Sequence, residues 1–530
     1  MTIAPQSLAR QAGQLIFFGF DGYTVTPHAR RAIRELHLGN VILFARNYRD
    51  PQQFFSLIRE LQHEALLANG APLFVAADQE GGSITRLTSG VTWFPGPMAT
   101  RAAGGPALAG QVGEGIGAEM AALGLNFDLA PLVDLANDPD SAHVGSRSYG
   151  AHPTACAPYA AAFLRGAQRH VLACAKHFPS IGGSHVDLHL QLGRNDSPLP
   201  RLEACEMAPV RAAIQAGVAA VMTSHEVYPA VEDCPGTLSP ILLTSWLRGR
   251  LGFDGLIVSD CMEMRALAQR VPTPEGCVRA VQAGADLLLV CHTEQTQAQA
   301  VQALTQAVLS GRLSSARFED ALTRIQRYKQ TLALPAACPE PVTNPLFAQN
   351  QALARRICEG ALTCQGQAEV FRCAPGEHFL LLAPPPAART MADERQGPEG
   401  LAAWVAAAFP RARCIEYPLP LTPQALGRVR AALDEGGYTK VLVGTYDAHG
   451  DEGQRELLQI AFAQNAPVGA IALRSPFDAR WYGPAAARLF AYEYTPPMVA
   501  ALVRLLQGES ACTGTLPPDV AGLLQKNIKE

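Results

Sequence analysis

Short apolar runs alternate with amphipathic segments along the first 330 residues of the chain. The segments between the runs carry apolar residues at helical spacing, as in 51–68 and 201–216. Continuous apolar strands joined by helices are typical of a parallel sheet that is buried on both faces. Eight such units in about 300 residues predict a (β/α)8 TIM barrel, whereas a doubly wound open sheet, the alternative, more often has fewer strands. The predicted strands are Gln14–Phe20, Asn40–Phe44, Leu73–Ala77, Asn126–Ala130, Val171–Ala175, Val218–Thr223, Gly255–Ser259 and Asp286–Val290.

A second βα pattern begins after a proline-rich segment. Ala333–Pro345 holds four prolines and is typical of a linker, so we predict a barrel domain at 1–335, a linker at 336–345 and a second domain at 346–530. A helix at 346–362 and five strands with intervening helices indicate a smaller three-layer α/β sandwich. Those strands are predicted at His378–Leu382, Arg413–Tyr417, Lys440–Tyr446, Val468–Arg474 and Leu489–Tyr492.

Most of the predicted barrel strands are followed by a polar residue with acid, base or charge chemistry. The carboxyl ends of all strands in a parallel barrel lie on one face, where active sites are built. Side chains far apart in sequence are therefore expected to converge there. The second half has no comparable cluster of strand-end carboxylates, so we predict that its role is mainly structural. The strand-end residues are Asp78, Asp134, Lys176, His177, His225 and Asp260.

Composition narrows the class of partner. The net charge of −4, without a basic patch, argues against a nucleic-acid partner, and no apolar run approaches membrane-spanning length. The first residues lack a cationic segment and a cleavage site, so we expect no signal peptide. The 13 cysteines form no C-x-x-C pair and favour reduced core residues in a cytoplasmic protein. The chain also lacks phosphate-loop, H-E-x-x-H and G-x-S-x-G motifs, so we expect no metal or cofactor.

The stretch CAKHFPSIGGSHVDLH, from Cys174 to His189, carries the most chemistry. Lys176 is the only lysine before Lys329 in a chain that prefers arginine, which suggests a position that requires a compact ammonium group. Asp187 lies two residues before His189 in an irregular segment, an arrangement that can present a titratable pair to a substrate. The alternative is an ordinary strand end with solvated polar residues.

Three other segments carry candidate site residues. Asp260, at a buried strand end in FDGLIVSDCMEM, is a candidate nucleophile for a sugar's anomeric carbon, and the alternative role is to cap the next helix. Asp78 and Arg86 flank a Gly-Gly turn in ADQEGGSITR that would let the backbone approach a ligand closely, although a plain turn with a solvated arginine is common. Arg147 lies in the small-residue loop HVGSRSY, where arginine is more often solvated.

Taken together, these segments resemble glycoside hydrolase family 3. The motifs NVILFARN, DQEGG-x3-R, SRSY, KHFP-x-x-G-x4-DxH and GFDG-x-IVSD, dispersed over 13–335, are closest to the β-N-acetylglucosaminidase branch of that family. The segments GTYDAHGDEGQRELLQIA and YEYTPPMVAALVRLLQGES are similar, more loosely, to the family's second domain.

The resemblance implies a retaining mechanism, and the predicted partner is a small carbohydrate that an exo-acting glycosidase would take. Asp260 matches the family's nucleophile, and His189 paired with Asp187 matches its acid/base. Five further residues match the groups that bind the terminal sugar, namely Asp78, Arg86, Arg147, Lys176 and His177.

The chain departs from the usual pattern of the branch at three places. Ser180 and Ile181 replace Gly and His, Leu188 replaces the Ser of the DSH motif, and Cys261 follows the nucleophile where a second Asp is common. The acid/base pair is retained, so the chemistry is expected to survive. A Ser-Ile pair is stiffer than Gly-His, so loop mobility and preference for the leaving group are expected to differ.

Four functions therefore compete at the sequence level. The leading prediction is a β-N-acetylhexosaminidase, acting on cell-wall muropeptide fragments in the cytoplasm. A phosphorylase of the same family could use the same dyad, because a neutral His does not repel phosphate as a carboxylate would. A non-catalytic sugar-binding protein and a β-glucosidase are the others, and the Asp-x-His pair counts against the last.

Overall fold

The amino-terminal half of the chain forms a closed, eight-stranded parallel barrel, as predicted. The computed structural model describes residues 5–141, 143–182, 192–332, 344–388, 390, 393 and 399–527. All eight predicted runs overlap a barrel strand, and neighbours in the barrel are neighbours in the chain. The strands are β1 Ile16–Phe18, β2 Asn40–Ile42, β3 Phe74–Ala77, β4 Phe127–Asp128, β5 Leu172–Phe178, β6 Ala220–Thr223, β7 Leu256–Cys261 and β8 Leu287–Val290.

Helices surround this barrel, and their first turns show why they begin where they do. Asp50 accepts the backbone N–H of Gln53 and Thr26 accepts that of Ala29, and each cap precedes a proline that tolerates the first helical position. The helical segments of this half are Pro5–Gly13, Pro27–Arg34, Pro51–Asn69, Pro97–Ala103, Pro106–Ala122, Pro153–Ala167, Leu199–Arg201, Leu202–Glu206, Ala208–Gln215, Ile241–Arg250, Arg265–Ala268, Thr273–Ala283, Glu294–Leu309 and Ser315–Lys329, with single turns at Ala45–Asn47, Gly145–Arg147 and Gly236–Leu238.

Aromatic side chains fill the amino-terminal part of the barrel interior. Phe17, Phe74 and Phe127 pack with ring centroids 5.6–6.4 Å apart, and all three are fully buried. The ring of strands closes where Ile16 of β1 pairs with Leu288 of β8. Because the aromatic plug occupies this end, the open end for a ligand is the one at the carboxyl ends of the strands.

A second sheet, with six strands among the described residues, forms the other half. Its order is β9-β14-β13-β12-β10-β11, and all pairs are parallel except β9 with β14. Five strands were predicted, and the missed one is the edge strand β9, whose sequence TCQG offers no apolar run. The strands are β9 Thr363–Gly366, β10 Leu380–Ala383, β11 Arg413–Glu416, β12 Val441–Thr445, β13 Val468–Ala472 and β14 Ala487–Phe490.

Helices on both faces of this sheet give the expected α/β sandwich. The helix Pro345–Ala361 belongs to both halves, because Phe347 lies in the barrel core and Cys358 in the sandwich core. The predicted linker lies mostly outside the described residues, so the domain boundaries stay a prediction. The other helical segments are Leu401–Ala408, Pro423–Glu435, Glu452–Phe462, Pro496–Leu506 and Pro518–Asn527, with short turns at Ala368–Phe371, Ala448–Gly450 and Pro476–Trp481. Within the described ranges, none of the helices has the length and apolarity to cross a bilayer.

Candidate active site

Strand geometry brings six of the predicted site residues to the open end of the barrel. Asp78 follows β3 directly, as expected. The strands β5 and β7 run further than predicted, so Lys176, His177 and Asp260 lie within them rather than after them. Polar side chains fit inside a strand here because that end of the barrel faces a cavity instead of the apolar core. Arg147 ends the single turn Gly145–Arg147.

Lys176 lies at the centre of a buried cluster of charges. Its Nζ is 2.7 Å from Asp78 Oδ1 and 2.8 Å from Glu80 Oε1. Arg147 donates two bonds to Glu80, at 2.8 and 3.0 Å, and Arg86 lies 3.3 Å from the second oxygen of Asp78. Two carboxylates and three cations are thus interleaved. A compact ammonium group fits between two carboxylates as a point charge, which is the role that the rare lysine predicted.

The charges in this cluster hold one another ionised. Burial disfavours the charged form of Asp78, but Lys176 and Arg86 outweigh it and lower its pKa. In the same way, burial is overcome at Glu80 by Arg147 and Lys176, which lower its pKa to about 2. Burial also opposes the charge of Lys176, yet Asp78 and Glu80 raise its pKa. The cluster therefore stays charged at neutral pH and can offer fixed donors and acceptors to sugar hydroxyls.

His177 is oriented by a carboxylate that the sequence did not assign to the site. Its Nδ1 lies 2.8 Å from Asp134 Oδ2, and the same carboxylate accepts the backbone N–H groups of His177 and Ile181 at 3.1 and 2.8 Å. Because a carboxylate accepts, Nδ1 carries the proton of this bond. The other ring nitrogen faces Asp260, with Nε2 3.7 Å from Oδ2.

Asp260 is the most accessible carboxylate of the group. Its side chain is 21% exposed, compared with 14% for Asp78 and 1% for Glu80. The backbone N–H of Cys261 donates to Asp260 Oδ1 at 2.7 Å, which fixes the direction of the carboxylate. The alternative role of Asp260 as a helix cap is not seen, because the next helix begins at Arg265 after Met264.

One cavity of about 160 Å³ collects these groups. Asp78, Arg86, Arg147, Lys176, His177 and Asp260 all line it. Apolar side chains also line the cavity, namely Ile42, Phe44, Ile84, Met222, Met264 and Leu289. A small pocket that combines charged and apolar side chains matches a sugar ring, which carries hydroxyls at its edge and C–H groups on its faces. The remaining two predicted residues, Asp187 and His189, lie outside the described residues.

Three residues of the site were missed at the sequence level. Glu80 is two residues after Asp78, and Asp134 was recognised only as a strand-end residue. Both could have been found from their place in the same loops as assigned residues. Glu493 comes from the second domain, and no sequence signal links it to the barrel. His225, by contrast, has its two ring nitrogens bonded to Thr237 and to a backbone carbonyl, which is a structural role.

Glu493 connects the sandwich to the glycine loop of the site. Its Oε2 accepts the backbone N–H of Gly96 at 2.5 Å and lies where a side chain on Gly82 would be, 3.2 Å from its Cβ position. Gly82 has φ of +57°, a conformation that glycine adopts without strain. Tyr492, just before Glu493, has φ of +66°, which is uncommon for a bulky residue. The second domain thus contacts the turn that carries Asp78 and Glu80.

Comparison with known proteins gives a consistent result across the barrel. The family described as "Glycosyl hydrolase family 3 N terminal domain" matches residues 7–328. A beta-hexosaminidase of Alkalilimnicola ehrlichii is 32% identical over 284 residues, which are 52% of this chain and 80% of that protein. A beta-hexosaminidase of Thiobacillus denitrificans is 35% identical over 271 residues, 50% of this chain and 74% of that protein.

A solved structure extends the similarity to both halves. It is a glycoside hydrolase family 3 beta-N-acetylglucosaminidase from a Paenibacillus species, 34% identical, with a TM-score of 0.90. The match covers 97% of this chain and 99% of that one. The arrangement of barrel and sandwich is therefore shared along almost the whole chain.

Proposed function

Because the chain belongs to glycoside hydrolase family 3 and is a glycosidase, we propose that it releases terminal β-linked N-acetylglucosamine with retention of configuration. The observation that carries the proposal is the cavity that Asp260 lines together with Lys176, His177 and other charged side chains. The named relatives support this choice of sugar, since they are described as hexosaminidases and a β-N-acetylglucosaminidase.

The small size of the cavity supports attack at a chain end. About 160 Å³ accommodates one sugar ring rather than a segment of polysaccharide. In this proposal the hydroxyls of that ring bind the cluster of Asp78, Lys176 and Arg147, with His177 beside them. Hydrogen bonds to charged groups contribute about 1.5–3 kcal/mol each, so the cluster supplies both affinity and orientation.

Asp260 is proposed as the nucleophile. A retaining glycosidase forms a covalent bond between a carboxylate and the anomeric carbon, and water then releases the sugar from it. Asp260 suits this role because its carboxylate is accessible, directed by the N–H of Cys261 and close to His177. The leaving oxygen is protonated by a separate acid, for which we propose His189 with Asp187 holding its ring. Imidazole titrates near neutrality and can give a proton in the first step and take one in the second.

The place of action is also a proposal. All twelve cysteines within the described part of the chain are free thiols, which supports a reducing compartment such as the cytoplasm. We extend the proposal to N-acetylglucosamine ends of cell-wall muropeptide fragments as the natural source.

A screen of nitrophenyl glycosides, each with and without inorganic phosphate, tests the function. We expect release from the β-N-acetylglucosaminide, little from the β-glucoside, and no effect of phosphate. Asp260→Asn is the matched inactive control. A preference for the β-glucoside would contradict the sugar assignment. Phosphate-dependent release with a sugar phosphate as product would identify a phosphorylase instead.

A further inference from the structure

A cysteine pair and a histidine form a second reactive group in the wall of the sugar cavity. Cys261, Cys291 and His292 all line the cavity, and Cys261 is the residue directly after Asp260. Cys261 is partly exposed, whereas Cys291 is fully buried. The glycosidase mechanism uses none of the three side chains.

The local structure holds these residues together across two strands. Cys261 of β7 pairs with Leu289 of β8, at a point where the register of the two strands shifts. The carboxylate of Glu263 accepts the backbone N–H of His292 at 2.7 Å, which connects the turn after β7 to the turn after β8. The His292 ring stacks on Phe44 with centroids 5.9 Å apart, so its position in the cavity wall is fixed.

This environment favours the thiolate of Cys261. The neighbouring Cys291 thiol lowers the pKa of Cys261, burial opposes this shift, and His292 reinforces it. The same interaction raises the pKa of His292. Thiolate character and access are the two properties that make a cysteine reactive. The titratable and charged groups around the thiol and its partners are Asp260, Glu263, His225, Cys277, Cys291, His292 and Arg46.

We propose that Cys261 is a reversible oxidation site for hydroperoxides, and that its modification switches the adjoining sugar site off. The thiolate sulfur attacks one oxygen of the peroxide, and the S–O bond forms as the O–O bond breaks. A sulfenic acid results, and the leaving group is hydroxide from hydrogen peroxide or alkoxide from an organic hydroperoxide. Two equivalents of a small thiol restore the cysteine, giving one disulfide and one water. Cys291 and His292 act on Cys261 by stabilising its thiolate.

Modification of the Cys261 side chain affects the nucleophile Asp260 through the backbone of Cys261. Its backbone N–H directs the Asp260 carboxylate, and its carbonyl lies 3.0 Å from His225 Nε2. An added oxygen also takes up part of a cavity of only about 160 Å³. Both effects reduce turnover without unfolding the protein.

The second domain provides an internal control. Cys364 is also partly exposed, and its pKa is lowered mainly by the neighbouring Cys512, yet it lies on β9 of the second domain and does not line the cavity. A reactive thiol without a role in the site should therefore be modified with no loss of turnover. Cys364→Ser serves as the matched variant for Cys261→Ser.

The experiment treats the intact protein with a small excess of hydrogen peroxide, or with iodoacetamide, and maps the modified cysteines by peptide mass spectrometry. We expect Cys261 to be labelled at least tenfold faster than the buried cysteines at pH 6, and Cys291→Ala to move the pH midpoint of labelling upward. Turnover, normalised to the same untreated variant, should fall at least tenfold in wild type and in Cys364→Ser, and dithiothreitol should restore it after peroxide. After the same treatment, Cys261→Ser should retain the turnover of the untreated Cys261→Ser variant.

Two results would overturn the proposal. One is an unlabelled Cys261 while Cys364 reacts, and the other is equal inactivation of Cys261→Ser and wild type. The turnover readout rests on the proposed glycosidase function, whereas the peptide map does not. Adding N-acetylglucosamine during labelling separates the two assignments. If the sugar does not slow the labelling of Cys261, the thiol assignment stands and the proposed sugar site is contradicted.

Discussion

Replacing Lys176 by Met tests whether the buried ammonium group serves the site or only the fold. The side chain is 4% exposed, and its Nζ contacts Asp78 and Glu80 at 2.7 and 2.8 Å. Met has a similar length but no donor, so the substitution removes the charge and leaves the space largely filled. Lys176→Arg keeps the charge but brings a planar fork to a position that holds a point charge, and we expect it to rescue only part of the loss.

The structure sets the size of the effect on stability. Removing one partner of a buried ion pair costs about 3–5 kcal/mol, because the other charge stays buried. Here Asp78 keeps Arg86 and Glu80 keeps Arg147, so we expect a loss at the lower end, about 3 kcal/mol. Both carboxylates have lower pKa values in the folded protein than in the unfolded chain. Their contribution to the free energy of unfolding is therefore present above the pKa values of the unfolded chain and is lost as the pH falls. The difference in free energy of unfolding between wild type and Lys176→Met should therefore become smaller below about pH 4.5.

The effect on catalysis is separate. Two bonds of the ammonium group go to the carboxylates, and its position on the cavity wall leaves the third donor for the substrate. A charged hydrogen bond of about 1.5–3 kcal/mol corresponds to a loss of about 10- to 150-fold in kcat/KM for Lys176→Met. Urea unfolding measures the stability. Hydrolysis of nitrophenyl β-N-acetylglucosaminide without denaturant, where the variant is folded, measures kcat/KM.

Lys329→Met is the matched control. Lys329 is the other buried lysine of the barrel half, and its Nζ donates to the carbonyl of Gly39 at 2.7 Å and to Gln14 at 3.1 Å. These partners lie before β2 and β1, at the end of the barrel opposite the site. We expect lower stability with unchanged kcat/KM. Full activity in Lys176→Met, or an equal loss of activity in both variants, would refute a role of Lys176 in sugar binding.

Three further predictions concern the groups around the sugar. Asp134→Asn replaces the carboxylate that orients the His177 ring by a neutral amide with one acceptor oxygen, and it should lower kcat/KM about 10- to 100-fold in steady-state assays, with the fold retained by circular dichroism. Burial raises the pKa of Glu493 to about 7, so stability is lost as the pH rises from 4.5 to 7, and thermal unfolding of Glu493→Gln should show a flatter dependence over that window. His189→Ala should slow substrates with poor leaving groups far more than nitrophenyl ones, and equal losses would mean that His189 is not the acid.

The barrel was predictable because each strand is a short apolar run that must be buried on both faces. The edge strand β9 was not, since TCQG has neither apolar residues nor alternation. Its pairing with β14 depends on a partner more than 100 residues away, which local patterns do not encode. The predicted ends of β5 and β7 were too early, because polarity was taken as the end of a strand. Lys176 and Asp260 are polar and yet lie within strands, where both side chains line the cavity.

The site residues at the carboxyl ends of strands were predictable from the sequence. The residues whose role depends on contacts with other side chains were not. Asp78, Lys176 and Asp260 share one cavity because parallel strands share one end. Glu80 was missed because its role is set by pairing with Lys176 and Arg147, which only the folded barrel brings near. Glu493 was missed for the same reason, since the contact joins two domains. The prediction that the second domain is mainly structural therefore stays open to test through Glu493→Gln.

The nucleophile assignment is tested most directly by trapping the sugar on the enzyme. A 5-fluoro β-N-acetylglucosaminide with an activated leaving group keeps the 2-acetamido group of the proposed substrate. The fluorine slows both steps of a retaining glycosidase and the activated leaving group keeps the first one fast, so the covalent intermediate accumulates. Peptide mass spectrometry of the trapped protein should place the sugar on Asp260, and proton NMR of the normal reaction should show the β-anomer first. A sugar attached to another residue, or an α-anomer as first product, would contradict the account.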